Sequence, residues 1–205
     1  MKFDIAIIGG GIVGAATFYK VQKQNPTLLI ALFEKEEILA DHQTGHNSGV
    51  LHSGLYYKPG SLKAKNCIEG RKELVEFAKE HGIAHDVCGK VVVATHESEL
   101  ANMERVYQTG LENKIEGLKK ISAAELKEIE PFVESIGGLW VPCTGIIDFR
   151  AATQKMVDLA LAINPLSGVF LGHEVQSITK NQKGSTLQTN KGEFEAVYLV
   201  FCAGL

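Results

Sequence analysis

The chain has 205 residues, 45% of them hydrophobic, and a formal net charge of −3. That is enough apolar material for one large core or two modest ones, and a near-neutral balance gives no electrostatic reason to expect nucleic acid or an anionic membrane as partner. No apolar run approaches the roughly 18 residues of a membrane span, and the first begins at Phe3, too early for an export signal, so cytoplasmic residence is the expectation.

Phe3-Asp4-Ile5-Ala6-Ile7-Ile8 reads as a buried strand, and Gly9-Gly10-Gly11-Ile12-Val13-Gly14 follows it directly. A helix then runs over roughly 12–24 until Asn25-Pro26 stops it, and a second apolar run, Leu28 to Phe33, closes on Glu34. This strand–turn–helix–strand setting is where G-x-G-x-x-G binds an adenine dinucleotide. Gly9 permits the tight turn, Gly11 leaves room for the pyrophosphate, and Gly14 lets the helix pack against the strand. The backbone at Ile12 and Val13 aims N–H groups and the positive dipole end at the phosphates. Glu34 stands 20 residues after Gly14, where a carboxylate accepts from a ribose hydroxyl.

A loop rich in His, Gly and Ser covers 41–60. Ser61 is an N-cap for a long helix reaching about Gly82, whose apolar stripe (Ala64, Cys67, Ile68, Leu74, Val75, Ala78) unexpectedly includes Arg71. Lys90–Thr95 reads as a strand and Glu97 to about Asn113 as a polar helix. Ser122-Ala123-Ala124-Glu125 is a capping box opening a short helix before Pro131, and Gly137–Pro142 is a strand. A helix over Arg150–Ile163 ends at Asn164-Pro165. The tail is β-rich, with strands at 169–171, 175–179, 186–189 and 196–201 and a hairpin turn around Asn190-Lys191-Gly192. The last apolar run, Ala196 to Leu205, calls for cover on both faces of a parallel sheet, which suggests a fragment or a protein completed by another chain.

The fold class is therefore α/β, in segments 1–82, 83–142 and 143–205. The middle one departs from the alternating pattern where a nicotinamide enzyme would continue it, and this favours flavin. Cys67, Cys88, Cys143 and Cys202 form no C-x-x-C pair and are expected to be reduced and mostly buried. His42, His46 and His52 share a loop without helical spacing, so no metal site is predicted; His81, His85, His96 and His173 are isolated.

Several stretches carry a resemblance: Asp4–Gly14, Phe33-Glu34-Lys35, Cys88-Gly89-Lys90, Thr144–Asp148, Cys202–Leu205, and above all HNSGVLHSGLYYKPGSLKA over 46–64. On them the chain resembles the FAD-dependent oxidoreductases of the D-amino-acid oxidase/glycerol-3-phosphate dehydrogenase superfamily, and within it the L-2-hydroxyglutarate oxidase/dehydrogenase family. The resemblance implies a Rossmann-like FAD-binding domain with an inserted α+β substrate domain, both incomplete because family members run well beyond residue 205. It implies FAD as cofactor and oxidation of a 2-hydroxy dicarboxylate, most simply L-2-hydroxyglutarate, to the 2-oxo acid by hydride transfer to flavin. Oxygen or a quinone would take the electrons, with the protein in the cytoplasm or peripheral at the inner membrane.

By the same resemblance His52 is the base or substrate-orienting residue beside the isoalloxazine, and histidine suits a base at neutral pH. His46, Asn47, Ser48 and Gly49 pass the flavin, Lys35 accompanies Glu34, Val175 meets the adenine, and Ala203-Gly204 makes a second close approach. A dicarboxylate needs cations, for which Lys58, Arg71 and Arg150 are the candidates; Arg150 is also placed to pair with Asp148. Two other readings stay open: an amino-acid or amine oxidase of the same superfamily, and a non-catalytic dinucleotide-binding fragment.

Overall fold

The computed structural model describes residues 1–204; Leu205, the last residue of the Cys202–Leu205 match, lies outside them. In chain order the elements are β1 (Lys2–Ile8), α1 (Ile12–Gln24), β2 (Ile30–Phe33), β3 (Val50–Leu51), α2 (Leu62–His81), β4 (His85–Asp86), β5 (Lys90–Ala94), α3 (Glu97–Glu112), β6 (Lys119–Ile121), α4 (Ala123–Ile129), β7 (Gly137–Val141), β8 (Gly145–Ile147), α5 (Phe149–Ile163), β9 (Gly168–Phe170), β10 (Val175–Asn181), β11 (Gly184–Thr189) and β12 (Gly192–Phe201). They form two compact units, one of Met1–Asn47 with the residues from Asp148 onward, the other of Ser48–Ile147. The chain thus passes between units at 47/48 and 147/148, where the sequence suggests 82/83 and 142/143. The difference is α2, which reads as a continuation of the first segment. Its Ile68 instead packs on the core of the second unit, formed by Leu55, Ile115, Leu118, Leu139, Val141 and Cys143.

The first unit is built on a six-stranded sheet of order β10-β11-β12-β1-β2-β9. β1 pairs parallel with both β2 and β12, and β9 pairs parallel with β2. β10, β11 and β12 are antiparallel, so the Asn190–Gly192 turn is a hairpin as expected. Buried Ala6, Ile7 and Ile30–Phe33 fill the middle of the sheet. Helices α1 and α5 pack on each other, burying Ala15 and Phe18 from one and Met156, Val157 and Ala160 from the other. The aromatic cluster has Phe33 stacked on Phe170 at 5.0 Å, with Phe194 edge-on to both at 4.9 and 4.8 Å.

Where α1 ends, a polar knot replaces apolar packing. The fully buried Gln22 donates from Nε2 to the carbonyls of Asn25 (3.2 Å), Pro26 (3.3 Å) and Leu28 (3.1 Å). Its Oε1 accepts from Ser167 Oγ at 2.8 Å, and Ser167 Oγ accepts from the Ile30 N–H at 2.9 Å. Asn164 closes the knot by donating to Leu28 O at 2.9 Å. The end of α1, the start of β2 and the chain leaving α5 are thereby tied through side chains.

The cover that the apolar run of β12 calls for is incomplete among the described residues, since Tyr198 and Phe201 are 68% and 66% exposed. Earlier in the same strand Phe194 and Ala196 are buried in the core of the unit, so the exposure is confined to part of β12.

The second unit holds two three-stranded sheets, β3-β8-β4 and β5-β7-β6. Ser61 caps α2 by accepting from the Ala64 N–H at 3.2 Å, and Gly82 ends it in the left-handed region. The capping box at Ser122 and Glu125 forms as read from sequence. Strands β3, β4, β6 and β8, of two or three residues each, carry too little periodicity to be seen in sequence. Among the described residues no helix is long and apolar enough to cross a membrane.

Candidate functional site

A cleft of about 420 Å³ opens in the first unit beyond the carboxyl ends of β1 and β2, the usual position of a ligand in a doubly wound sheet. Nine residues assigned from sequence to the cofactor line it: Gly9, Gly11, Ile12, Val13, Glu34, Lys35, Val175, Ala203 and Gly204. Gly9 lies at φ +114°, in the region that favours glycine, and a Cβ there would overlap the carbonyl of Cys202. The turn is held on both sides, by Gly9 N–H to Phe33 O (2.8 Å) and Cys202 N–H to Ile8 O (2.7 Å). Gly14 sits beneath the cleft, where a Cβ would overlap Gly9 O.

Helix α1 starts without a side-chain cap of its own. The first donor within the helix is the Ala15 N–H, to Gly11 O at 3.0 Å. Of the N–H groups before it, that of Ile12 is taken by Thr44 Oγ1 at 3.1 Å, while those of Val13 and Gly14 have no partner inside the helix. Donors and the positive end of the helix dipole therefore face the cleft, as an anionic diphosphate requires. Glu34, just after β2, is fixed by two backbone donors: Gly10 N–H to Oε2 at 2.7 Å and Glu36 N–H to Oε1 at 2.9 Å. Each oxygen keeps a free lone pair for a hydroxyl donor.

Residues 4–205 match the family described as FAD dependent oxidoreductase. The chain belongs to that family. It is 47% identical to L-2-hydroxyglutarate dehydrogenase of Indibacter alkaliphilus and 39% identical to the mitochondrial L-2-hydroxyglutarate dehydrogenase of Homo sapiens, in each case over the whole of this chain. It covers 51% of the first and 46% of the second, so it spans about half the length of these relatives. Among solved structures, L-α-glycerophosphate oxidase from Mycoplasma pneumoniae with FAD bound superposes with a TM-score of 0.89 at 28% identity, over 100% of this chain and 54% of that one. Glycine oxidase from Geobacillus kaustophilus shares the fold, with a TM-score of 0.84 at 22% identity over 99% of this chain and 55% of that one.

The cleft fits the adenosine-diphosphate half of FAD: bare backbone at the turn, free first-turn donors, and a carboxylate anchored at the lip. Glu34→Gln keeps the side-chain shape but weakens acceptance from the ribose and loses the charge that holds the Gly10 and Glu36 donors. It is expected to raise the FAD dissociation constant about tenfold, since hydrogen bonds to a charged group contribute about 1.5–3 kcal/mol. Fluorescence titration of FAD reads this directly, and an unchanged constant would remove Glu34 from the site.

Sequence reasoning missed the other wall of the cleft, Ala40 to Thr44. Its one local signal is a hydroxyl, Thr44, in a glycine-bearing loop. His46 and Asn47, assigned to the flavin, lie outside the lining and shape this loop instead. His46 Nδ1 donates to His42 O at 3.1 Å, and Asn47 Nδ2 donates to Gln43 O at 3.0 Å and Thr44 O at 2.7 Å. His42 in turn meets Glu36 at 2.8 Å. Arg150 pairs with Asp41 at 3.5 Å, not with Asp148, whose carboxylate caps α5 through the Ala151 N–H at 2.9 Å. The arginine therefore braces the cleft wall from the start of α5.

The remaining assigned residues belong to the second unit. Ser48 is exposed, and Gly49 O accepts from the Ile147 N–H at 2.9 Å. His52 is exposed; its carbonyl accepts from Cys67 Sγ at 3.3 Å, and its ring has no hydrogen-bond partner among the described residues. Lys58 is exposed and has no ion pair among the described residues. Arg71, the anomaly on the α2 stripe, does not snorkel: its side chain is 9% exposed. Nη1 donates to Cys143 O at 2.9 Å, Nη2 reaches Glu116 at 3.5 Å, and Nε is buried without a partner. Lys72 also pairs with Glu116, and with Arg71 it holds that carboxyl below its usual range. The cysteines are free as expected but not mostly buried: Cys143 is buried, Cys67 and Cys202 are partly so, and Cys88 is exposed.

Proposed function

We propose that this chain carries the FAD-binding unit and part of the substrate unit of an enzyme that oxidises L-2-hydroxyglutarate to 2-oxoglutarate. The single observation that carries the reading is the 47% identity to an L-2-hydroxyglutarate dehydrogenase along the whole chain. FAD, when bound, supplies the acceptor for the hydride that leaves the substrate α-carbon. The chain's own residues do the rest. Gly9, Gly11 and the first-turn donors of α1 hold the diphosphate, Glu34 with Lys35 the ribose, and Val175 and Ala203-Gly204 the adenine side. His46, Asn47, Ser48 and Gly49 keep the approach to the flavin open.

His52 takes the proton of the substrate hydroxyl on its imidazole, which suits a ring with no hydrogen-bond partner among the described residues. The two substrate carboxylates draw on Lys58, Arg71 and Arg150. The arginines already have partners, so Lys58 leads. Oxygen or a quinone accepts the electrons, in the cytoplasm or at the inner-membrane surface.

The test is an absorption spectrum of the FAD-loaded chain before and after anaerobic addition of L-2-hydroxyglutarate. Bleaching of the flavin band is the expected result. Ammonia release from an amino acid, with no response to hydroxyglutarate, would replace this reading with an amine or amino-acid oxidase. Flavin uptake with no response to either substrate would leave a binding module.

A further inference from the structure

The stretch of the second unit that carries His52 is richer in cations than the chain as a whole. Residues 48–68 contain no Asp or Glu but include Lys58, Lys63 and Lys65, although the full chain is net negative. Two tyrosines follow His52 in this stretch, and each carries an ammonium over its ring: Lys90 over Tyr56 and Lys63 over Tyr57, both 4.7 Å from the ring centre.

Lys90 is the unusual member. It opens β5, is half-buried, and has no carboxylate partner among the described residues. Burial pushes its ammonium below the ordinary lysine range, and the nearby thiols Cys143 and Cys67 only partly oppose this. Cys67 is the same residue that donates to the His52 carbonyl, so α2, the His52 loop and Lys90 converge on one corner of the unit. The other buried cation there, Arg71, is committed to Cys143 O and Glu116. A half-desolvated ammonium held only by a ring face is short of a counter-charge, and a carboxylate is the group that would restore it.

We propose that Lys90, presented over Tyr56, binds the distal carboxylate of the substrate and selects a dicarboxylate over a monocarboxylic 2-hydroxy acid. The assignment to the distal group follows from chain position. Lys90 meets the loop at Tyr56, four residues beyond His52, whereas the proximal carboxylate must lie beside the carbon whose hydroxyl His52 serves. This inference rests on the reading of the function above.

Calorimetric titration of the FAD-loaded full chain tests it, with 2-oxoglutarate and 2-oxopentanoate as ligands. These differ only in the distal carboxylate. The wild type is expected to favour 2-oxoglutarate. Lys90→Met is expected to weaken 2-oxoglutarate binding at least about tenfold and leave 2-oxopentanoate unchanged, while Lys90→Arg, which keeps the charge, restores most of the preference. If Lys90→Met keeps the wild-type preference, or weakens both ligands equally, the role of Lys90 is overturned and the functional reading stands. If the wild type shows no preference or no binding, the dicarboxylate reading itself fails, and the role of Lys90 with it.

Discussion

Gly14→Ala is expected to abolish retention of FAD and to destabilise the first unit by about 3 kcal/mol or more, because the added methyl has nowhere to go. The atom it would overlap is Gly9 O, a backbone group, and Gly9 is itself fixed between the Phe33 carbonyl and the Cys202 strand end. A flexible side chain could swing aside, but this turn cannot. Relief requires α1 to lift from β1, and that same movement carries the first-turn N–H groups away from the diphosphate. Stability and cofactor affinity should therefore fall together. Thermal unfolding of the apo-protein and flavin absorbance retained through gel filtration measure the two losses. A yellow variant with wild-type unfolding temperature would show that the helix does not need this approach.

Gln22→Leu is the second large effect, expected at about 2–3 kcal/mol, because the substitution preserves volume while it strips partners from buried polar groups. Pro26 O loses the Gln22 donor, and Ser167 Oγ loses its 2.8 Å acceptor and keeps only the longer bond to Leu28 O at 3.4 Å, although the carbonyls of Leu28 and Asn25 retain other donors. The knot joins α1, β2 and the exit of α5, so the loss is felt by the whole first unit. The unfolding temperature should drop by about 5–10 °C for a chain of this size. Ser167→Ala should cost less: it takes the partner from Gln22 Oε1 and from the Ile30 N–H, but leaves the three Gln22 donor bonds in place. Equal losses from the two variants would mean that the glutamine donors contribute nothing.

What was legible in the sequence was what depends on neighbours in the chain. The glycine turn, the helix after it, Glu34, the Ser61 and Ser122 caps and the Asn190–Gly192 hairpin are all decided within a few residues. Short strands such as β3 and β8 exist only because they find each other across nearly the whole second unit. The placement of α2 was hidden for the same reason, since Ile68 packs on a core that includes Ile115 and Leu118, which no local pattern reveals.

In the candidate site, the anionic and bare-backbone half could be read because its chemistry requires rare residue types in fixed order. The Thr44 wall could not, being an ordinary loop hydroxyl made significant by reaching Ile12. Arg71 stood out as a charge on an apolar stripe, but its partners, Cys143 O and Glu116, lie far along the chain. Gln22 gave no warning at all, because a glutamine near a helix end is usually solvated.

The position of β1 in its sheet has a consequence for how the protein is made. Strand β1 lies between β2 and β12 and is translated long before β12, so Ile5 must wait for Tyr198 to be synthesised before that side is paired. Until then a strand rich in isoleucine presents an open hydrogen-bonding edge, the condition under which nascent chains pair with the wrong neighbour. Expression at low temperature or with a holdase chaperone should raise the soluble yield by protecting that edge during translation.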